Sequence, residues 1–123
     1  NIDMIFEKIK SNGKKAGLAL TISTNPEDVL DHLKKSSHVL LLTIPEPGSS
    51  GQKFDSGGLD RIKQLNNLSF RNQFSLCVDG GVNEDIVEIL DAENIVSGSS
   101  VLNNLNPKKQ IMRLQTASRY GSI

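Results

Sequence analysis

Four short apolar runs recur along the chain, at residues 16–22, 38–44, 74–78 and 94–97. Each has the length of a buried β-strand rather than that of a typical helix. The segments between them carry apolar residues three and four positions apart, which is the spacing of an amphipathic helix. This alternation of strands and helices predicts a parallel sheet with helical crossovers, either an open doubly wound sheet or part of a barrel.

The predicted helices begin with recognisable N-terminal signals. In residues 25–35, Asn25 suits the N-cap, Pro26 suits the first helical position, and Leu30 and Leu33 lie on one apolar face. The other helices are predicted at residues 2–9, 58–67 and 84–90 and from Pro107 onward. We find no Gly-x-Gly-x-x-Gly motif after a strand, which argues against a dinucleotide-binding open sheet.

The overall charge and the single cysteine narrow the class of protein. Fourteen basic residues balance fourteen acidic ones, which argues against a nucleic-acid or membrane surface, since both need a basic excess. The longest apolar runs, such as residues 39–42, are far too short to span a bilayer, and we see no signal-peptide pattern. Cys77 is the single cysteine and cannot form an internal disulfide. We therefore expect a cytoplasmic protein with no membrane or nucleic-acid partner.

Polar and glycine-rich segments follow three of the predicted strands, at residues 45–52, 79–81 and 98–100. The starts of the strands show nothing comparable. In parallel α/β folds the active site is built from the carboxyl ends of the strands and the loops that follow them. We therefore expect the functional site at that edge of the sheet.

Asp79 is the candidate acid of this site. Strand alternation places it with Ser75 and Cys77 on one face, opposite the bulkier Leu76 and Val78, which should meet the helices. An inward-facing acid at the end of a strand can transfer a proton or bind a metal. An Asp-Gly pair is also common in ordinary turns. We expect Cys77 to fill space beneath Asp79, because no paired histidine is evident that would make a reactive thiolate.

The loops after the last two strands form a candidate anion site. Gly80, Gly81, Gly98 and Ser99 fit the arrangement in which barrel loops and a short extra helix bind phosphate. The same residues also fit two ordinary strand-to-helix turns. The long loop at residues 45–54 fits either a lid over this site or a plain surface connection.

In chain order, these strands and loops resemble strands five to eight of ribulose-phosphate 3-epimerases. The more specific motifs are Gly-Gln-Lys-Phe at residues 51–54 and Val-Asp-Gly-Gly at residues 78–81, with Val-Ser-Gly-Ser at residues 96–99 for the eighth strand. The resemblance implies an α/β fold that is the C-terminal half, strands five to eight, of a TIM (β/α)8 barrel. Residues 1–123 would form one partial domain of the ribulose-phosphate-binding barrel type.

The resemblance also implies a reaction and a set of site residues. The family interconverts ribulose 5-phosphate and xylulose 5-phosphate with two acids that move the proton at C3, and a divalent metal (zinc, iron or manganese) stabilises the enediolate. By resemblance, Asp79 is one of the two acids and a metal ligand. The residues implied around the phosphate of a phosphorylated pentose are Gly48, Ser49, Ser50, Gly51, Gly80, Gly81, Gly98 and Ser99.

The chain departs from the family pattern in its site and in its extent. Leu42 stands where the family usually has methionine, and residues 48–51 read Gly-Ser-Ser-Gly where the family usually has Gly-Phe-Gly-Gly. The choice between pentose and hexose phosphate therefore stays open. The family's second acid and its metal-binding histidines lie in strands one to four, for which this chain has no counterpart.

Four strands cannot close an eight-stranded barrel. We therefore expect these residues to belong to a longer chain or to pair with another half, either an N-terminal half-barrel or a second copy in a homo-oligomer. We expect no catalysis from them alone.

Two other functions remain open at this stage. One is a noncatalytic relative that binds a phosphorylated sugar or a protein partner, which the differences at Leu42, Ser49 and Ser50 favour. The other is a different phosphate-binding barrel, such as an aldolase or synthase. Many such enzymes need a lysine within a strand, and here Lys15 lies only at the start of one.

Overall fold

The computed structural model describes residues 1–120 and contains one parallel sheet of four strands in the order β1-β2-β3-β4. The strands are β1 (Gly17–Thr21), β2 (His38–Leu42), β3 (Ser75–Asp79) and β4 (Asn94–Val96). The helices are α1 (Ile2–Ser11), α2 (Leu30–Lys35), α3 (Gly57–Asn66), α4 (Glu84–Ile89), α5 (Ser99–Leu102) and α6 (Pro107–Ala117). Every predicted strand and helix is therefore present, with bounds that differ by a few residues.

The first crossover shows how local signals set a helix boundary. Asn25 caps it as predicted, because its side chain accepts a hydrogen bond from Glu27 N–H at 3.2 Å. Pro26 follows at the first helical position. The segment begins as a 3₁₀ turn, Pro26–Val29, before α2 continues it. Leu33, in the last turn of α2, is completely buried.

One face of the sheet is covered by helices and the other is open. Leu20, Leu41 and Val78 point to the covered face and belong to the core that the helices complete with residues such as Leu65 and Leu114. Because the strand order follows the chain order and the helices pack on one face, the sheet is a segment of a barrel. A doubly wound sheet would have helices on both faces and a reversal of strand order.

The open face carries the residues that alternate with this core. The strand register aligns Thr21, Leu42, Asp79 and Val96 in one row at the carboxyl ends of the strands. Val96 is 44% exposed, so this face is only partly shielded from solvent.

The amino end of the sheet is held by a charged clamp. Arg71 Nη2 lies 2.6 Å from Glu93 Oε1, and Arg71 Nη1 donates to Phe74 O at 2.8 Å. Glu93 Oε2 accepts the Leu76 N–H at 2.8 Å. Burial raises the pKa of Glu93, but the Leu76 hydrogen bond and the Arg71 charge outweigh it and leave that pKa below its ordinary value.

Within residues 1–120, no helix is both long and apolar enough to cross a membrane.

Candidate active site

The carboxyl ends of β2, β3 and β4 meet around a small cavity of about 120 Å³. Asp79 lines it, together with all the residues predicted to surround phosphate except Gly48. The structure thus brings the predicted acid and the predicted anion loops to one place. Gly48 lies in the same loop as Ser49 and Ser50 but does not reach the cavity wall.

The loop after β3 requires glycine for two separate reasons. Gly81 has φ +69° and Gly80 has φ +133°, in the region that L side chains rarely adopt. A Cβ atom on Gly81 would lie 2.1 Å from the backbone N of Phe54, and one on Gly80 would lie 2.7 Å from Ile44 Cγ2. The long loop after β2 therefore rests directly on the turn that follows Asp79.

Thr43 joins these two loops, and the sequence alone assigned it no role. Its N–H donates to Asp79 O at 2.9 Å, and its carbonyl accepts the Asp55 N–H at 2.8 Å. Its hydroxyl donates to Gly80 O at 2.8 Å. Thr43 is fully buried, so these hydrogen bonds are shielded from water and fix the Asp79-Gly80 turn against the base of the loop.

Ser97 makes the matching connection on the other side of β3 and was likewise not predicted as a site residue. Its hydroxyl donates to Val82 O at 2.7 Å. This bond ties the end of β4 to the loop that follows Asp79. In the sequence, the indication that Ser97 belongs to the site was its position beside Gly98 and Ser99.

The loop after β2 is closed by the side chain of Gln52, which hydrogen bonds to the backbone of Glu46 and of Ser49. Gly48 and Gly51 have φ +98° and +78°, and they flank the two serines at the tip of the loop. The loop is therefore an ordered turn with exposed serines beside the cavity.

Asp79 is half-buried at the mouth of the site, and Cys77 is buried beneath it on the same face. Burial, with a further contribution from the Asp79 charge, raises the pKa of the Cys77 thiol. A thiol with a raised pKa stays protonated at neutral pH and is a poor nucleophile. Cys77 therefore packs beneath Asp79 and is not a reactive thiolate.

The described residues do not make a metal site by themselves. Within residues 1–120, no group of three or more His, Cys, Asp and Glu side chains is arranged to hold a metal ion. Asp79 is the acidic side chain that lines the cavity. A divalent cation at this position would need ligands from outside these residues.

A larger cavity, of about 470 Å³, lies beside β4 and α6 and is lined by residues such as Ile95, Ile111 and Tyr120. Asp79 does not line this cavity, whereas Ser97 and Val101, on either side of the Gly98-Ser99 loop, do. Because β4 is the last strand of the sheet, this cavity lies at the open edge, where a closed barrel would place its next strand and helix.

Comparison with known proteins identifies the family. The family model described as "Ribulose-phosphate 3 epimerase family" matches residues 1–102. The chain belongs to the ribulose-phosphate 3-epimerase family. This agrees with the resemblance seen in the sequence motifs and with the α/β architecture of a half-barrel.

Three relatives show how far the similarity extends. The chain is 35% identical over 114 residues to the ribulose-phosphate 3-epimerase of Serratia marcescens, covering 89% of this chain and 54% of that protein. For the Bacillus subtilis ribulose-phosphate 3-epimerase the identity is 32%, over 89% of this chain and 53% of the relative. For that of Methanocaldococcus jannaschii it is 29%, over 93% and 50%. The chain thus spans about half the length of the curated relatives it matches.

Proposed function

We propose that this chain supplies the phosphate-binding loops and one proton-transferring acid of a ribulose-phosphate 3-epimerase barrel. The observation that carries the proposal is the shared cavity, in which Asp79 lies beside Gly81, Gly98 and Ser99 at the carboxyl ends of the strands. Backbone N–H groups of such loops bind phosphate oxygens. A substrate anchored there would extend its sugar carbons over the open face of the sheet, towards Asp79.

In the proposed reaction, one acid removes the proton from C3 of the sugar phosphate and the other returns a proton to the opposite face. The C–H bond breaks, its electron pair passes into the enediolate formed with the neighbouring ketone, and protonation from the opposite face completes the epimerisation. Asp79 is one of the two acids in this proposal. It forms none of the ion pairs found within residues 1–120, so its carboxylate is not committed to a salt bridge.

The second acid must come from a complementary half-barrel. A cavity of about 120 Å³ is smaller than the roughly 300–1,000 Å³ of complete ligand pockets. The sheet is open on one face and at both edges. Apolar side chains are exposed on the two outermost helices: Met4 is 71% exposed on α1, and Met112 is 47% exposed on α6. These surfaces coincide with the places where a closing half would pack. Any divalent metal required by the reaction would take its other ligands from that half.

The test is to replace Asp79 with Asn in the barrel assembled with its complementary half. Turnover of ribulose 5-phosphate should fall by about 10² to 10⁴-fold, the usual contribution of a positioned acid or base. Phosphate binding and the melting temperature should stay close to wild type. Asp85→Asn is the matched control, because it removes an exposed carboxylate from the first turn of α4. Full activity in Asp79→Asn would contradict the proposed role.

A noncatalytic role is the second candidate. It is favoured by the differences from the family pattern at Leu42, Ser49 and Ser50, of which the two serines line the cavity. The two functions differ in one measurement, the exchange of the C3 proton with solvent deuterium in the assembled protein. Exchange supports the epimerase. Binding of the sugar phosphate without exchange supports the noncatalytic role.

A further inference from the structure

Gln52 uses both halves of its side-chain amide to hold the loop after β2. Oε1 accepts the Glu46 N–H at 3.0 Å. Nε2 donates to Glu46 O at 2.5 Å and to Ser49 O at 2.7 Å. The chemistry of the partners defines the orientation of the amide, because an N–H can only donate and a carbonyl can only accept. Both N–H bonds of the side chain are therefore used within the loop, and neither is left to bind a ligand.

We propose that Gln52 is a positioning residue that keeps the two serines of this loop in place beside the cavity and does not itself bind the phosphate. The inference rests on the proposed function in one respect, since it takes this cavity as the phosphate site. The latch itself, meaning the three hydrogen bonds of the Gln52 amide, is independent of that function.

The loop needs such a latch because little else orders it. Residues 45–51 are all exposed. A Cβ atom added to Gly48 or Gly51 would meet nothing within 4 Å, so the protein body does not pack against these positions. Within residues 1–120, no backbone–backbone hydrogen bond joins two residues of the segment 45–52. Glycine loses more conformational entropy than other residues when it is ordered, and the Gln52 hydrogen bonds oppose that cost.

Gln52 directly precedes a segment of the chain that packs against the loop after β3. Gln52 is followed by Lys53 and Phe54, whose backbone lies against Gly81. Asp55 N–H then donates to the buried Thr43. The side chain of Gln52 therefore reaches from this packed segment to the exposed backbone of Glu46 and Ser49, as a positioning residue would.

The experiment compares Gln52→Ala with wild type, each in the barrel assembled with its complementary half, by amide hydrogen exchange and by binding of inorganic phosphate. The protection factor of the Glu46 amide should fall about tenfold, the factor produced by losing roughly 1.4 kcal/mol of hydrogen bonding. Phosphate should bind more weakly, while the amides of β2 and β3 keep their protection. Gln73→Ala is the matched control, because Gln73 is an exposed glutamine and should change neither quantity.

Each outcome has a defined meaning. Unchanged protection of the Glu46 amide would show that the Gln52 hydrogen bonds do not order the loop, which overturns the proposal. Weaker phosphate binding with unchanged protection would make Gln52 a direct ligand, which also overturns the proposal. Lower protection with unchanged phosphate affinity would show that the loop does not position the ligand. If wild type binds no phosphate while Gln52→Ala still lowers Glu46 protection, the proposed function fails and the latch stands.

Gln52→Glu tests the donor role separately. The introduced carboxylate keeps an acceptor for Glu46 N–H, but it has no hydrogen to offer Glu46 O or Ser49 O. Protonation restores one donor, so the closed loop should raise the pKa of this carboxyl above its ordinary value of about 4.3. Glu46 protection should be low at neutral pH and return as the pH falls below that raised pKa. Protection that stays low at every pH would contradict the assigned donor role.

Discussion

The two ends of the central strand β3 are held by different interactions. At the carboxyl end, the hydroxyl groups of Thr43 and Ser97 donate neutral hydrogen bonds to the carbonyls of the loop after β3. At the amino end, Arg71 and Glu93 form an ion pair at 2.6 Å. The positive-φ glycines after β2 and β3 lie at the carboxyl end. Around β3, an ion pair therefore stabilises the amino end, and neutral hydrogen bonds hold the carboxyl end.

Arg71 and Glu93 do not line the candidate cavity, and among the described residues Asp79 is the charged side chain that does. An arginine or a carboxylate used for stability beside the cavity would attract or repel an anionic ligand. The clamp at the amino end contributes to stability without that interference. Asp79 is left as an acid without an ion-pair partner among the described residues. The same division is general in barrels, where residues at the carboxyl ends of the strands form the active site and residues at the amino ends contribute to stability.

Substituting Gly81 should have the largest effect on the carboxyl end. In Gly81→Ala the new Cβ would lie 2.1 Å from Phe54 N at a φ of +69°. The clash and the backbone strain together should lower the free energy of unfolding by about 3 kcal/mol. The loop after β2 should also move away from the cavity, which would abolish phosphate binding. Urea denaturation and phosphate titration measure the two effects.

Gly48→Ala is the control for that prediction. Gly48 also has a positive φ, +98°, but its Cβ would meet nothing within 4 Å. Only the backbone strain remains, at about 1 kcal/mol. If Gly81→Ala and Gly48→Ala lost the same free energy of unfolding, the close approach of Phe54 to Gly81 would not be the cause of the loss in Gly81→Ala.

Thr43→Val should have an intermediate effect on the same end. Valine keeps the shape of threonine but leaves the buried Gly80 carbonyl without its hydroxyl donor. An unpaired buried carbonyl costs about 1–3 kcal/mol. We expect a loss in that range in denaturant unfolding, together with weaker phosphate binding. Thr43→Ser retains the hydroxyl, so it should retain phosphate affinity even though it loses a methyl group. Weaker binding in Thr43→Ser alone would indicate packing, not the hydrogen bond.

Glu93→Gln should have the smallest effect, and it should be confined to stability. Glutamine removes the charge paired with Arg71 but keeps an oxygen for the Leu76 N–H. We expect a loss of about 1 kcal/mol at neutral pH and unchanged phosphate binding. Glu88→Gln, an exposed glutamate on α4, is the matched control. A change in phosphate affinity in Glu93→Gln would contradict the separation of the two ends.

The pH dependence of that variant has a definite sign. The pKa of Glu93 is lowered in the folded chain from an ordinary value of 4.5. Its contribution to stability is therefore complete above that ordinary value and is lost as the pH falls through the lower, folded pKa. The difference in melting temperature between wild type and Glu93→Gln should shrink as the pH falls below about 4.5. A constant difference would rule out Glu93 as its source.

Much of the candidate site was predictable because strand alternation is a local property. The position of Asp79 at the end of an apolar run predicted that it would lie on the face opposite Val78, and the register confirms this. The glycine loops were predictable because glycine and serine after parallel strands are typical of anion sites. Gln52 lies in one of the family motifs, but neither Gln52 nor Thr43 was assigned a role, because the sequence does not show which backbone groups their side chains contact. The assignment of roles to Asp79 and to the phosphate-binding residues stays a prediction.

The sequence by itself determined the alternation of strands and helices, the helix caps and the family motifs, because each depends on residues close together in the chain. The family resemblance implied a barrel segment, but the strand and helix pattern left an open sheet possible. Tertiary structure decided between them, since strand order and the single helix-covered face depend on contacts between distant residues. It also decided which loop lies against which. Gly81 must be glycine because Phe54, far away in sequence, occupies the space where its side chain would be.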